Sequence, residues 1–102
     1  MGKLNPKSIS TKQRRWLKER AHSIRPTVWV GEDGVVPGTV GAVVDALATH
    51  ELIKVRLRRP ESKSDTADWV AESAAAHLVG VVGHTVILYR ARDEDPTLIL
   101  PR

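Results

Sequence analysis

Two glycines three positions apart, Gly31 and Gly34, with Glu32 and Asp33 between them, are the residues of this chain whose spacing is most suggestive of chemistry. A Gly-x-x-Gly loop carries no Cβ at either end, so its main chain can lie against another polymer's backbone that a side chain would hold away. The loop follows the β-branched run Thr27-Val28-Trp29-Val30 and precedes Pro37, a residue suited to the first turn of a helix. Amides at the start of that helix can donate to a phosphate oxygen. Any sharp connection also prefers glycine, so the meaning of the loop depends on what surrounds it.

Its surroundings are cationic. The chain has 102 residues and a formal charge of +4, with a sequence pI near 9.9. Eight of its sixteen Lys and Arg fall within residues 1–25 (Lys3, Lys7, Lys12, Arg14, Arg15, Lys18, Arg20 and Arg25), against a single acid, Glu19. Such a front-loaded charge without interleaved acids suits a polyanion better than a plain solvated helix face. Lys12, Arg14, Arg15 and Lys18 are the candidate phosphate contacts, and Lys54 and Arg56, followed by Arg58, form a second basic row.

Other chemistries find little support. Without cysteine there is no disulfide, zinc-thiolate site or thiol nucleophile. His22, His50, His77 and His84 are scattered, and His50-Glu51 lacks the second histidine of a zinc-protease helix. Ser23 beside His22 makes no dyad, because adjacent helical residues point in different directions. No catalytic residue, metal ligand or cofactor is expected. The three tryptophans, Trp16, Trp29 and Trp69, invite base stacking, but packing at the core or its rim is the default for each. No apolar run spans a bilayer and no secretory signal opens the chain, so a cytoplasmic protein is expected.

The elements that must position these residues follow from periodicity. Residues 1–9 read as a flexible basic arm. Ser10 and Gln13 form a capping box for a first helix that Pro26 ends, with Leu17, Ala21 and Ile24 on its packing face and Lys12, Arg15, Lys18 and His22 opposite. Thr27–Val30 is a first strand. From Pro37, Val40, Val43, Val44 and Leu47 recur at helical spacing towards His50. Residues 52–58 alternate as a half-buried strand, with Ile53, Val55 and Leu57 inward and a basic outer side. After a polar loop from Pro60 to Ser64, a third helix starts near Ser64 or Asp65 and turns Ala67, Val70, Ala71 and Ala74 inward. Leu78–Val82 and Thr85–Tyr89 form a hairpin through Gly83-His84. Residues 91–102 read as a loosely ordered tail.

The fold class expected is α/β, one compact domain over residues 10–90 with the order helix-strand-helix-strand-helix-strand-strand. Right-handed crossovers give parallel pairing among the first three strands, and the hairpin adds one antiparallel strand, making a four-stranded mixed sheet.

Several segments fall into one pattern: Thr11-Lys12-Gln13-Arg14-Arg15 with Leu17 and Ala21, Pro26, Val30-Gly31-x-x-Gly34, Ala46-Leu47 and His50-Glu51-Leu52-Ile53-Lys54-Val55, then Val82-Gly83-His84-Thr85 and Leu88-Tyr89-Arg90. Over roughly residues 10–90 the chain resembles a CRM domain, the chloroplast RNA splicing and ribosome maturation module, in its free-standing bacterial YhbY-like form. The resemblance implies a fold similar to the C-terminal domain of the third bacterial translation initiation factor, and an RNA-binding role for the glycine loop. Free-standing members are associated with precursors of the large ribosomal subunit. Glu32 and Asp33 depart from the basic or neutral residues common between the family's glycines, which shifts attraction towards the basic helix. The expected partner is therefore RNA, specifically ribosomal RNA in large-subunit precursors, with no DNA or membrane partner; the sequence leaves the oligomeric state open, a monomer being favoured. The rival readings are an initiation-factor-like module on ribosomes, a protein-interaction adaptor using the tail, and, with least support, a hydrolase or nuclease.

Overall fold

The computed structural model describes residues 9–31, 37–58 and 63–102, apart from the side chains of 63 and 64. The basic arm at 1–8, the acidic pair Glu32 and Asp33, Gly34, and the start of the loop at Pro60 lie outside the described residues. Three helices and four strands alternate as α1 (Thr11–Ala21), β1 (Val28–Val30), α2 (Pro37–His50), β2 (Leu52–Leu57), α3 (Lys63–Ser73), β3 (His77–Val82) and β4 (Thr85–Tyr89). The element order is the one the periodicities predict, and α2 begins at the expected proline.

Local signals set the ends. The Ser10 hydroxyl accepts from the Gln13 amide at 3.0 Å while Gln13 Oε1 accepts from the Ser10 amide at 2.9 Å, so the capping box is complete. α1 stops at Ala21, short of Pro26. Gly83 adopts φ +59 in the β3–β4 turn while His84 stays out of the left-handed region, the combination a type II′ hairpin asks for.

Strand order corrects one expectation. The sheet runs β1-β2-β4-β3, with β1 parallel to β2 and β4 antiparallel to both β2 and β3. β1, β2 and β3 do point the same way, but β4 inserts between β2 and β3, so the last two parallel strands never touch. The cause is visible in composition: Val86, Ile87, Leu88 and Tyr89 form an unbroken apolar run, buried on both faces, that needs a central place. β3 is half exposed and takes the edge.

The sheet separates two cores. On one face α2 and α3 pack Val43, Leu47, Ala67, Val70 and Ala71, with Ala74 just after α3, against Val28, Val30, Ile53, Val55, Leu57, Val86 and Leu88. On the other, Leu17 and Ala21 of α1 meet Leu52, Val79, Ile87 and Tyr89, joined at the rim by Ile9, Trp16, Leu98 and Leu100. The segment after Tyr89 has no regular secondary structure, yet it is docked where a loose tail was expected. Gln13 Nε2 donates to the Pro101 carbonyl at 3.0 Å, and the segment donates four further bonds to the Glu51 carboxylate. No described helix is long and apolar enough to cross a membrane.

Candidate nucleic-acid interface

The face that carries α1 is only partly covered. Cross-strand register divides it into rows. In the lowest, His77, Tyr89 and Leu52 lie side by side beneath α1 and the C-terminal segment. Above it, Gly80, Ile87 and Lys54 are aligned, and the next row is Val82, Thr85, Arg56 and Trp29. This upper row is open: Trp29 is 65% exposed and Val82 56%.

α1 sends its charge to that open ground. Lys18 lies over β3 with its Cε 3.3 Å from where a Cβ on Gly80 would stand, so Gly80 is a seat for the lysine stem and Lys18 crowns the Lys54 row. Lys12 and Arg15 are exposed on the outer side of the helix. Arg14 is different. Its Nη1 donates to the Leu78 carbonyl and, at 3.2 Å, to the Val79 carbonyl, tying α1 to the irregular stretch of β3 between Leu78 and Gly80. An expected phosphate contact thus serves as an anchor of the helix.

Arg56 is exposed and Lys54 half-buried, both on the α1 face as the strand alternation predicts. Their neighbour Leu52, expected on a solvated outer side, is instead buried under α1. Gly31 follows β1 directly, is exposed, and would meet nothing within 4 Å if it carried a Cβ; its φ is not left-handed. The fold therefore does not require glycine there for its own packing. Lys18, Lys54 and Arg56 share one side of the sheet, Lys18 over the β3 edge, and Gly31 follows directly on the end of the β1 edge strand. Lys12 and Arg15 extend the charge along α1, and Arg14 is held beneath.

Along the same face a groove of about 560 Å³ opens between α1, β1 and the ends of α2 and the C-terminal segment, with Arg20, Arg25, His50, Thr27 and Leu98 among its walls. Arg20 is stacked over the Trp16 ring, 4.8 Å from its centroid.

Two residues of consequence escaped the sequence reading. Trp29 was expected to pack; alternation with the buried pair Val28 and Val30 was the signal that turns it outward. Glu51 gave no local signal. It follows α2 with φ 65, is fully buried, and its carboxylate accepts from the amides of Arg92 (2.8 Å), Thr97 (2.7 Å) and Leu98 (3.0 Å) and from the Thr97 hydroxyl (2.7 Å). Burial pushes its pKa up, but the four donors together outweigh burial and hold it below the ordinary value. Nearby, burial and the Arg14 charge lower the pKa of His77, while burial and the Glu51 charge raise that of Tyr89. The two rings stack at 6.1 Å. Tyr89 packs with Leu17 and Ala21 of α1, and Glu51 ties the C-terminal segment beside it.

A model of the CRS1/YhbY (CRM) domain matches residues 9–90. The chain belongs to the CRM domain family. It is 33% identical over 95 residues to the Bacillus subtilis protein named "Probable RNA-binding protein YqeI", which covers 91% of this chain and 99% of that one. An "RNA-binding protein" of Haemophilus influenzae is 35% identical over 97 residues, 93% of this chain and 97% of its own length. Among solved structures, that of SAV1595 from Staphylococcus aureus superposes with a TM-score of 0.80 at 30% identity, covering 91% of this chain and 99% of the other. A CRM domain thus accounts for the whole succession of elements, and the overall fold is similar to that of the SAV1595 structure.

Proposed function

We propose that this CRM protein binds RNA through the open half of its α1 face and acts without catalysis as an assembly factor, docking on structured ribosomal RNA in precursors of the large subunit. The observation that carries the reading is the gathering of Lys18, Lys54 and Arg56 on one side of the sheet, with Gly31 at the end of its β1 edge strand. A phosphate chain drawn in by the lysines and arginine could then run close to main chain at the β1 edge, where Gly31 opens the Gly-x-x-Gly sequence. The names of the relatives support RNA as the partner. Glu32 and Asp33, which follow Gly31 in the sequence, add two negative charges, so attraction rests on Lys12, Arg15 and Lys18 together with the strand row. Recognition by shape and backbone is expected, since few side chains on the face are placed to read base edges.

Sedimentation of the tagged protein from growing cells tests the assembly role. Enrichment with free large-subunit precursors and absence from translating ribosomes is the expected outcome. Co-migration with assembled ribosomes would point to an initiation-factor-like role instead. Binding of purified protein to a large-subunit RNA fragment, with affinity falling steeply as salt rises, tests RNA contact directly.

A further inference from the structure

Resting on the RNA-binding reading, we propose that Trp29 is a stacking platform for an unpaired base, so that the ligand of this face is single-stranded or looped-out RNA. Trp29 is the middle residue of an edge strand, yet its indole is 65% exposed while Val28 and Val30 on either side are buried. An indole costs water structure when left open, and nothing on the described part of the chain covers it. Its register partner is Arg56, so the arginine side chain leaves the neighbouring strand on the same face, from a backbone one strand spacing of about 4.8 Å away. Lys54 lies one pleat below. Among the described residues no hydrogen bond or ion pair engages either cation. An aromatic face flanked by uncommitted cations matches a nucleotide, whose base stacks while its phosphate finds charge.

The path on either side agrees. Thr27 and Gly31 flank the three-residue strand at either end of Trp29, a span of about 13 Å if the chain is extended throughout. At the Thr27 end the groove walled by Arg20 and Arg25 begins. At the Gly31 end there is no Cβ, and among the described residues nothing stands within 4 Å of where one would be. A strand laid along this edge meets cations, an aromatic face, then main chain. Duplex RNA presents its bases stacked on one another and cannot use the indole.

The test uses the full chain. In a protein with Trp16→Phe and Trp69→Phe, Trp29 is the sole indole and reports on its own surroundings. Titration with an unpaired oligoribonucleotide of about ten nucleotides should quench its emission, and a blunt duplex of the same length should not. In the otherwise native chain, Trp29→Ala should weaken binding of the single strand about tenfold while duplex binding stays unchanged, and Trp29→Phe should remain within about threefold of native. Unchanged single-strand affinity in Trp29→Ala, with silent emission in the reporter, would overturn stacking and leave RNA binding standing. Failure of the native chain to bind either RNA would remove the RNA-binding reading and this inference with it.

Discussion

Glu51 shows how much one side chain can hold. Its buried carboxylate takes four donors from the C-terminal segment, and its backbone, left-handed at the end of α2, receives the Arg90 amide at 2.8 Å. Replacing it by glutamine puts an amide nitrogen among donors, and we expect a loss of about 1–3 kcal/mol, read as a lower urea midpoint. The pH dependence has a definite sign. The folded pKa of Glu51 is depressed, so its contribution is complete above the ordinary value of 4.5 and is lost as pH falls towards the folded value. His77 is also depressed, so its protonation favours the unfolded chain and stability starts to decline below about 6.5. The native urea midpoint should therefore fall in two stages with acid, the upper one absent in His77→Gln. Gly31 offers a contrasting case. With open space at its Cβ position and no left-handed φ, Gly31→Ala should leave stability within about 0.5 kcal/mol of native. Under the proposed function it should nonetheless weaken RNA binding, measured by electrophoretic shift.

At the scale of elements, α1 combines two tasks on separate flanks. Leu17, Ala21 and the Arg14 bonds to β3 fix it, which leaves Lys12, Arg15 and Lys18 free to present charge. Alanine at those three positions should flatten the slope of log affinity against log salt by about 2–3, with little change in thermal midpoint. Arg14→Ala should do the reverse: the helix loses its tie to β3, stability drops, and the salt slope is nearly kept. The C-terminal segment is an element in all but hydrogen-bonding pattern. Removing residues 93–102 withdraws Thr97 and Leu98 from Glu51 and uncovers Leu52 and Tyr89, so the truncated chain should melt several degrees lower.

Across the whole molecule, the two cores are not independent, because β2 and β4 contribute to both. Unfolding should accordingly be a single transition, with far- and near-ultraviolet circular dichroism coinciding through urea, in the truncated chain as well as the native one. Much of this architecture was legible in the residues. The Ser10–Gln13 box, the Val40-to-Leu47 stripe and the Gly83-His84 turn are local patterns whose periods and caps act within a few residues, and all seven elements could be placed from them. Strand order was not, since a two-residue turn makes β4 a neighbour of β3 on either side; burying both faces of Val86–Tyr89 chose the inner place. The candidate site divides in the same way. Charge on α1 and alternation along β2 are properties of the chain and named Lys18, Lys54 and Arg56 in advance. That Arg14 turns under the helix, that Trp29 stands open beside Arg56, and that Glu51 gathers donors more than forty residues away are outcomes of packing. Composition and periodicity thus determined the elements and their charge, because those follow from neighbours along the chain. Which faces are covered and which are left for a ligand was decided only when distant segments competed for the same surface.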